Sequence, residues 1–323
     1  MKMWKRMLAL MLVLVMTACS AAPTAPAASA APAAPVSSAA PAVSEAPAVS
    51  ESPAASEAPA ASEAPAASEA PAPAPAQAKK KPTEKLPTNA EYNILFIGNS
   101  HTYYNSMPQV IFPTIAKKAG YKNVHVDAVT KGSASLEHFT RKSTAEGAQI
   151  AKLLDEKKYD YVVIQEHGRN AAANTTIFHI AARYMINMAR ENGAIPILYC
   201  SQGYKSHSFL EEKGWDTETH TYKLASAYQA IAKEMDVAVA YSGLAFYDIY
   251  SDDDSNIELY NDDGFHPSPK GSYLAALTIF SRIFNVDPLK VPVSSDISAN
   301  HGSMLHKAAH NAVVKTPEIP AGY

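Results

Sequence analysis

From residue 92 onward the sequence alternates between short apolar runs and longer stretches of helical periodicity, and this alternation restricts the fold more than any other feature. The runs at 92–97, 124–129, 159–164, 194–200 and 237–241 read as strands. They lack the polar alternation of a half-exposed sheet, so both faces of each strand must be covered. Between them, 107–119, 144–158, 175–192 and 222–235 read as helices. Ile150, Leu153 and Leu154 share one face of the second, and Gly193 stands where a C-cap glycine belongs. Pro267 opens a last strong helix to Phe284, in the first turn where proline is tolerated. Residues 299–314 fit one further amphipathic helix. Strand–helix alternation predicts an α/β domain with a parallel sheet, and roughly 240 residues suffice for one full core. The domain is expected to span 90–323.

The first 89 residues obey different rules. Lys2, Lys5 and Arg6 precede an apolar run from Met7 to Met16, which is a charged and then hydrophobic signal segment, expected at 1–18. About ten apolar residues are too few for a spanning helix, which needs roughly 20. Met16-Thr17-Ala18-Cys19 resembles a bacterial lipobox, with Met16 where Leu is commoner. The resemblance implies cleavage before Cys19, lipid on its thiol, and a chain anchored on the extracellular face of the bacterial cell membrane. The competing reading is a plain signal peptide with Cys19 incidental. Residues 20–78 contain no aromatic residue, no Leu and no Ile, and hold twelve of the 23 prolines. The unit Ser-Glu-Ala-Pro-Ala-Ala repeats there with small variations. Such a segment buries too little apolar surface to offset the entropy of ordering, so 19–89 is expected to be a disordered tether, of which the proline-rich 20–78 reaches at most about 180 Å.

Charge and cysteine content exclude whole classes. Removing the +3 of residues 1–18 and the −5 of residues 20–78 from the net −3 leaves −1 for the remainder. A near-neutral domain has no basic field to gather phosphates, which argues against a nucleic-acid partner. Contact with the membrane is expected through the lipid anchor only. Cys19 and Cys200 are the only cysteines, so no disulfide framework exists. Cys200 lies on a predicted buried strand and reads as a small core hydrophobe.

In an open parallel sheet the ligand crevice lies beyond the carboxyl ends of the strands. Those ends carry Gly98-Asn99-Ser100-His101, Thr130-Lys131-Gly132-Ser133, Gln165-Glu166-His167-Gly168-Arg169-Asn170 and Ser201-Gln202-Gly203. Ser100 directly follows the first strand. Far downstream, Asp263-Gly264-Phe265-His266-Pro267 places an acid and a histidine three residues apart. In one turn the carboxylate can hold the imidazole while its other nitrogen faces a nucleophile. Gly-x-Ser-x-Gly is absent, so the α/β-hydrolase elbow is excluded.

Gly98-Asn99-Ser100 resembles the first block of the SGNH (GDSL-like) hydrolases, with Asn for the usual Asp, and Asp263-x-x-His266 resembles their last. Ile97 to Asn105, Gly132 to Glu137, Tyr161 to Glu166 and His266 to Tyr273 look closest to an uncharacterised bacterial SGNH-type subgroup. The likeness spans about 92–284. It implies the SGNH hydrolase fold, a flavodoxin-like three-layer αβα sandwich with a five-stranded parallel sheet. It also implies a serine esterase with Ser100 as nucleophile, His266 as base and Asp263 orienting the imidazole. The oxyanion donors would be the backbone N–H groups of Ser100 and Gly132 and one side-chain amide. The family's third block, Gly-x-Asn-Asp, is broken here by Ala171. Gln165 at the strand end is the preferred amide donor, with Asn170 the alternative. The chemistry needs no metal or organic cofactor. The substrate class is a small-molecule or glycan acyl ester, O-acetyl groups of extracellular carbohydrate being one candidate.

Other residues have plainer readings. Asp262 competes with Asp263, but the three-residue offset matches the family. His101 and His167 read as rim or packing residues. Tyr103, Tyr104 and Trp215 either wall a pocket or pack in the core. His306 and His310 lie one helical turn apart, without the carboxylate of a His-Glu-x-x-His site, and read as a solvated helix face. Asp252 to Asp254 resembles a calcium loop, yet Ile257 stands where such a loop needs Gly. The stretches 203–220 and 251–261 read as specificity loops. Two other functional classes share part of the pattern: a catalytically inactive surface binding protein of this fold, and a solute-binding lipoprotein, which normally needs two lobes.

Overall fold

The computed structural model describes residues 84–315 and 318–323. The signal segment, Cys19 and nearly all of the tether lie outside the described residues. The folded chain begins by Leu86, four residues before the expected boundary. The Leu86 N–H donates to Phe284 O at 3.2 Å, and Tyr121 Oη donates to Leu86 O at 3.0 Å.

In chain order the elements are β1 (Glu91–Gly98), α1 (Ser100–Tyr103), α2 (Phe112–Lys118), β2 (Asn123–Thr130), α3 (Leu136–Thr140), α4 (Ala145–Glu156), β3 (Tyr161–Ile164), α5 (Gly168–Ala173), α6 (Thr175–Asn192), β4 (Ile195–Tyr199), α7 (Ser208–Lys213), α8 (Thr217–Met235), β5 (Ala238–Ala240), α9 (Ser242–Tyr250), α10 (Pro269–Phe284) and α11 (Ala299–Val313). The five strands form one parallel sheet in the order β2-β1-β3-β4-β5. As the apolar runs require, β1, β3, β4 and β5 are buried on both faces, and Ile94 through Ile97 have no exposure at all. Each such side chain contributes about 1.5–3 kcal/mol by leaving water. β2 departs from that expectation: it is the edge strand, His125 and Asp127 alternate with its apolar residues, and only Val129 is fully buried.

Helices cover the sheet on both sides. α4 packs on β2, α6 on β3 and β4, and α8 on β5, with α3 and α5 against α6. On the other side α2 packs on β2 and α10 on β5, while α9 and α11 pack against α10. α6 runs over the expected residues and ends at Gly193 with φ +90°, a left-handed turn that only glycine adopts without strain.

Several boundaries differ from expectation for identifiable reasons. The stretch 107–119 divides into a π-helical turn, Met107–Ile111, and α2, because Pro108 and Pro113 remove amide donors. α8 begins at Thr217 rather than 222. Asp216 caps it, accepting from Thr219 N at 2.8 Å, and the polar residues Thr217, His220 and Thr221 at its start are buried while Glu218 faces solvent. α10 begins at Pro269, not Pro267: Ser268 Oγ caps the helix by accepting from Gly271 N, while Pro267 pairs with Tyr260 in an antiparallel bridge. α11 follows the expected amphipathic stretch.

The expectation of a solvated face at His306 is overturned. His306 is 3% exposed; it hydrogen-bonds Tyr273 Oη through Nε2 at 2.7 Å and Pro288 O through Nδ1 at 2.9 Å. His310 instead pairs with Asp287. Cys200 is a buried free thiol, and burial pushes its pKa up.

Candidate active site

The strand order reverses direction between β1 and β3, where a doubly wound sheet opens a crevice beyond the strand ends. Ser100 leaves β1 at that point. The register keeps the ends level: Gly98 pairs with Thr130, Ile97 with Ile164, and Ile164 with Leu198. Side chains far apart in sequence therefore reach one edge.

Asn99 sets the turn into α1. Its Oδ1 caps the helix by accepting from His101 N at 3.1 Å, and its Nδ2 donates to Ala134 O at 3.1 Å. One side chain thus orients Ser100 and ties it to the turn carrying Gly132 and Ser133. Gly98 lies so close to Thr102 and Gln165 that a Cβ there would collide with both. As the first residue of α1, Ser100 has a backbone N–H without an intrahelical partner.

Ser100 Oγ lies 2.8 Å from His266 Nε2, and His266 Nδ1 lies 2.7 Å from Asp263 Oδ2. The other Asp263 oxygen accepts from Phe265 N at 3.0 Å and His266 N at 2.9 Å. Partial burial pushes the Asp263 carboxyl up, but these two amides and the imidazole outweigh it and hold it below its usual range. The imidazole is clamped. Tyr104 stacks on it with centroids 4.0 Å apart and planes within 9°, and Phe265 lies 4.0 Å away on a tilted plane. Asn105 and Ser106, both at φ +54°, bend the chain after Tyr104, and Asn105 Nδ2 fastens that bend to Pro267 O and Ser272 Oγ. A hydroxyl, an imidazole and a carboxylate in this relay can move a proton from the hydroxyl as it attacks an electrophile.

Gln165 does not serve as the amide donor that the strand-end position suggests. Its Oε1 accepts from Asn99 N and Thr102 Oγ1, each at 2.8 Å, and its Nε2 donates to Glu166 O. The amide is 1% exposed and fully engaged beneath α1. Asn170 does not line the cleft, and its Oδ1 accepts from Asn174 Nδ2. In the second turn Ser133, at φ +58°, lines the cleft, while Gly132 lies beside it against Tyr103 Oη. The cleft in front of Ser100 holds about 160 Å³.

Three neighbours escaped sequence reasoning in their roles. Glu166, 1% exposed, accepts from Leu136 N at 2.9 Å and His167 N at 2.5 Å through Oε1, joining the two loops that flank the cleft. Its Oε2 is buried without a partner. Burial pushes its carboxyl up to about 7, against the pull of those two amides. A carboxylate two residues beyond a wholly apolar strand was the available signal. Arg169 and His207 line the cleft together with Ser133. His101 is buried under the site, its Nδ1 at 3.2 Å from Ser201 Oγ, and burial together with His266 holds it neutral. His167 is pushed down to about 4, first by burial and then by Arg169. Of the aromatics, Tyr104 stacks on His266, and Trp215 packs on Phe209 in the small cluster whose Tyr204 and Phe265 line the cleft.

No protein-family model matches this sequence, and no curated protein matches it significantly. Solved structures do. A protein from Slackia heliotrinireducens described as a candidate SGNH hydrolase is 27% identical, with a TM-score of 0.53 over 60% of this chain and 99% of its own. A DUF4886 family protein from Bacteroides uniformis is 17% identical, with a TM-score of 0.58 over 72% of this chain and 98% of its own. The described domain has the SGNH hydrolase fold, a five-stranded parallel sheet flanked by helices.

Proposed function

We propose that this chain is a serine acyl-ester hydrolase. The observation that carries this reading is the continuous relay from Ser100 Oγ through His266 to Asp263, at 2.8 and 2.7 Å, on the floor of a cleft at the sheet's switch point. Ser100 Oγ attacks the ester carbonyl carbon while His266 Nε2 takes its proton. The same proton passes to the departing alcohol as the C–O bond breaks. Water then attacks the acyl-serine, giving its proton to His266, and a carboxylic acid leaves as Ser100 recovers its hydroxyl. The tetrahedral oxyanion is received by backbone N–H groups of Ser100 and the Gly132–Ser133 turn. With Gln165 Nε2 on Glu166 O and Asn170 outside the lining of the cleft, the proposed hole uses backbone donors. A cleft of about 160 Å³ favours a small acyl group, acetyl above all, since drug-sized ligands occupy roughly 300 Å³ or more. The lipobox-like Met16-Thr17-Ala18-Cys19 supports a place on the outer face of the membrane, the enzyme reaching glycan esters on its proline-rich tether.

A fluorophosphonate probe tests the chemistry. It is expected to label Ser100 and to fail on Ser100→Ala and nearly so on His266→Ala. Asp263→Asn is expected to slow ester turnover by about 10⁴, as loss of the orienting acid does in serine hydrolases, and Asp262→Asn far less. Labelling that survives Ser100→Ala, or a folded wild type that neither labels nor hydrolyses para-nitrophenyl acetate, would refute the proposal.

A further inference from the structure

Five arginines fall among the described residues, and four have a fixed partner. Arg141 pairs with Glu137 and Arg183 with Glu234, while Arg190 donates to Met235 O and Arg282 to Val313 O. The Arg169 guanidinium has no hydrogen-bond or ion-pair partner among the described residues, and it is the one that lines the cleft in front of Ser100. Its backbone is held in place, because His167 Nδ1 accepts from Arg169 N at 3.3 Å and Gly168 lies against the Tyr204 ring.

No acid lines that cleft. Both Asp263 oxygens take hydrogen bonds from its own turn, and Glu166 is buried and does not line the cleft. The neighbouring histidines add no competing charge at neutral pH. His167 and His207 are each pushed down, by burial first and by Arg169 next. The lining of the cleft that holds Ser100 therefore includes one permanent cation, the planar, forked and solvent-exposed guanidinium of Arg169. A guanidinium in this setting is matched by a carboxylate, which accepts two parallel N–H donors.

We infer that Arg169 is a specificity residue, selecting acyl esters whose alcohol part carries a carboxylate near the scissile bond, a class that includes O-acetylated acidic sugars. This rests on the hydrolase proposed above. The carboxylate of the bound ester takes the two guanidinium donors, and that contact sets the carbonyl carbon before Ser100 Oγ. A neutral ester of the same shape lacks this anchor.

The test compares 3-acetoxybenzoate with its methyl ester on the purified full chain, measuring kcat/KM for each. Taking the ratio of the two in Arg169→Gln against wild type cancels their different intrinsic reactivity. The anion-to-neutral ratio is expected to fall about tenfold in Arg169→Gln, as one charge-assisted contact is lost. Arg169→Lys should keep part of the preference, and Arg169→Glu should invert it. In wild type alone the ratio should shrink as salt rises from low to about 0.5 M, since part of the attraction is screened. A ratio that stays the same in every variant and at every salt level overturns the inference and leaves the hydrolase reading standing. Equal losses on both esters also overturn it, because Arg169 would then act on the reacting carbonyl or on the fold. If wild type hydrolyses neither ester, the hydrolase reading fails and the inference with it.

Discussion

Replacing Glu166 by Gln tests whether the acid that joins the two loops at the cleft is kept protonated by its burial. The Glu166 carboxyl titrates near 7 in the folded chain, against an ordinary 4.5, because burial penalises its charged form. Raising a carboxyl by that much corresponds to about 3 kcal/mol. Folded Glu166 keeps its proton between pH 4.5 and 7 while the unfolded chain has released it. Its contribution to stability is therefore complete below pH 4.5 and lost as pH rises to 7. Histidines oppose this in acid. His101, His167 and His220 are held neutral by burial, so the unfolded chain gains protons below about 6.5 and the fold weakens there. Both chains share those histidines, so the difference between them isolates Glu166. In Glu166→Gln the amide oxygen can keep the bonds from Leu136 N and His167 N, while the NH₂ replaces the unpartnered Oε2. An unsatisfied buried donor costs about 1–3 kcal/mol at every pH, so the level of the difference is free and its slope carries the test. Urea unfolding at 25 °C from pH 4 to 8 should show the variant gaining about 3 kcal/mol relative to wild type, with the change confined to pH 4.5–7. A difference that is flat across this range would refute the reasoning.

Two further outcomes are expected. Tyr104→Leu, which removes the ring stacked on His266, should slow fluorophosphonate labelling of Ser100 up to about tenfold, since such aromatic pairs are worth about 0.5–1.5 kcal/mol. Tyr104→Phe keeps the ring and should stay within about twofold of wild type; equal losses in both would deny the stack its role. Metabolic labelling with a fatty-acid analogue should mark the wild-type chain and not Cys19→Ser, and equal labelling would remove the lipid anchor.

The sheet was legible in the sequence because burial on both faces leaves near-continuous apolar runs, a local and unambiguous signal. The same is true of the α6 terminus at Gly193 and of the turn from Asp263 to His266, where the partners are three residues apart and chain geometry alone brings them into contact. Other features depend on groups distant in sequence, which no local pattern records. Gln165 looked like a free amide at a strand end, and only the docking of α1 against β3 showed that Asn99 and Thr102 consume it. His306 looked solvated because α11 is amphipathic by itself; packing against α10 turned it inward onto Tyr273. Pro267 read as a helix start until its pairing with Tyr260 moved that start to Pro269. The burial of Glu166 and the lack, among the described residues, of a partner for the Arg169 guanidinium are likewise tertiary facts. A carboxyl's burial and a guanidinium's lack of a partner depend on everything that packs around them, and that is decided only when the whole chain has folded.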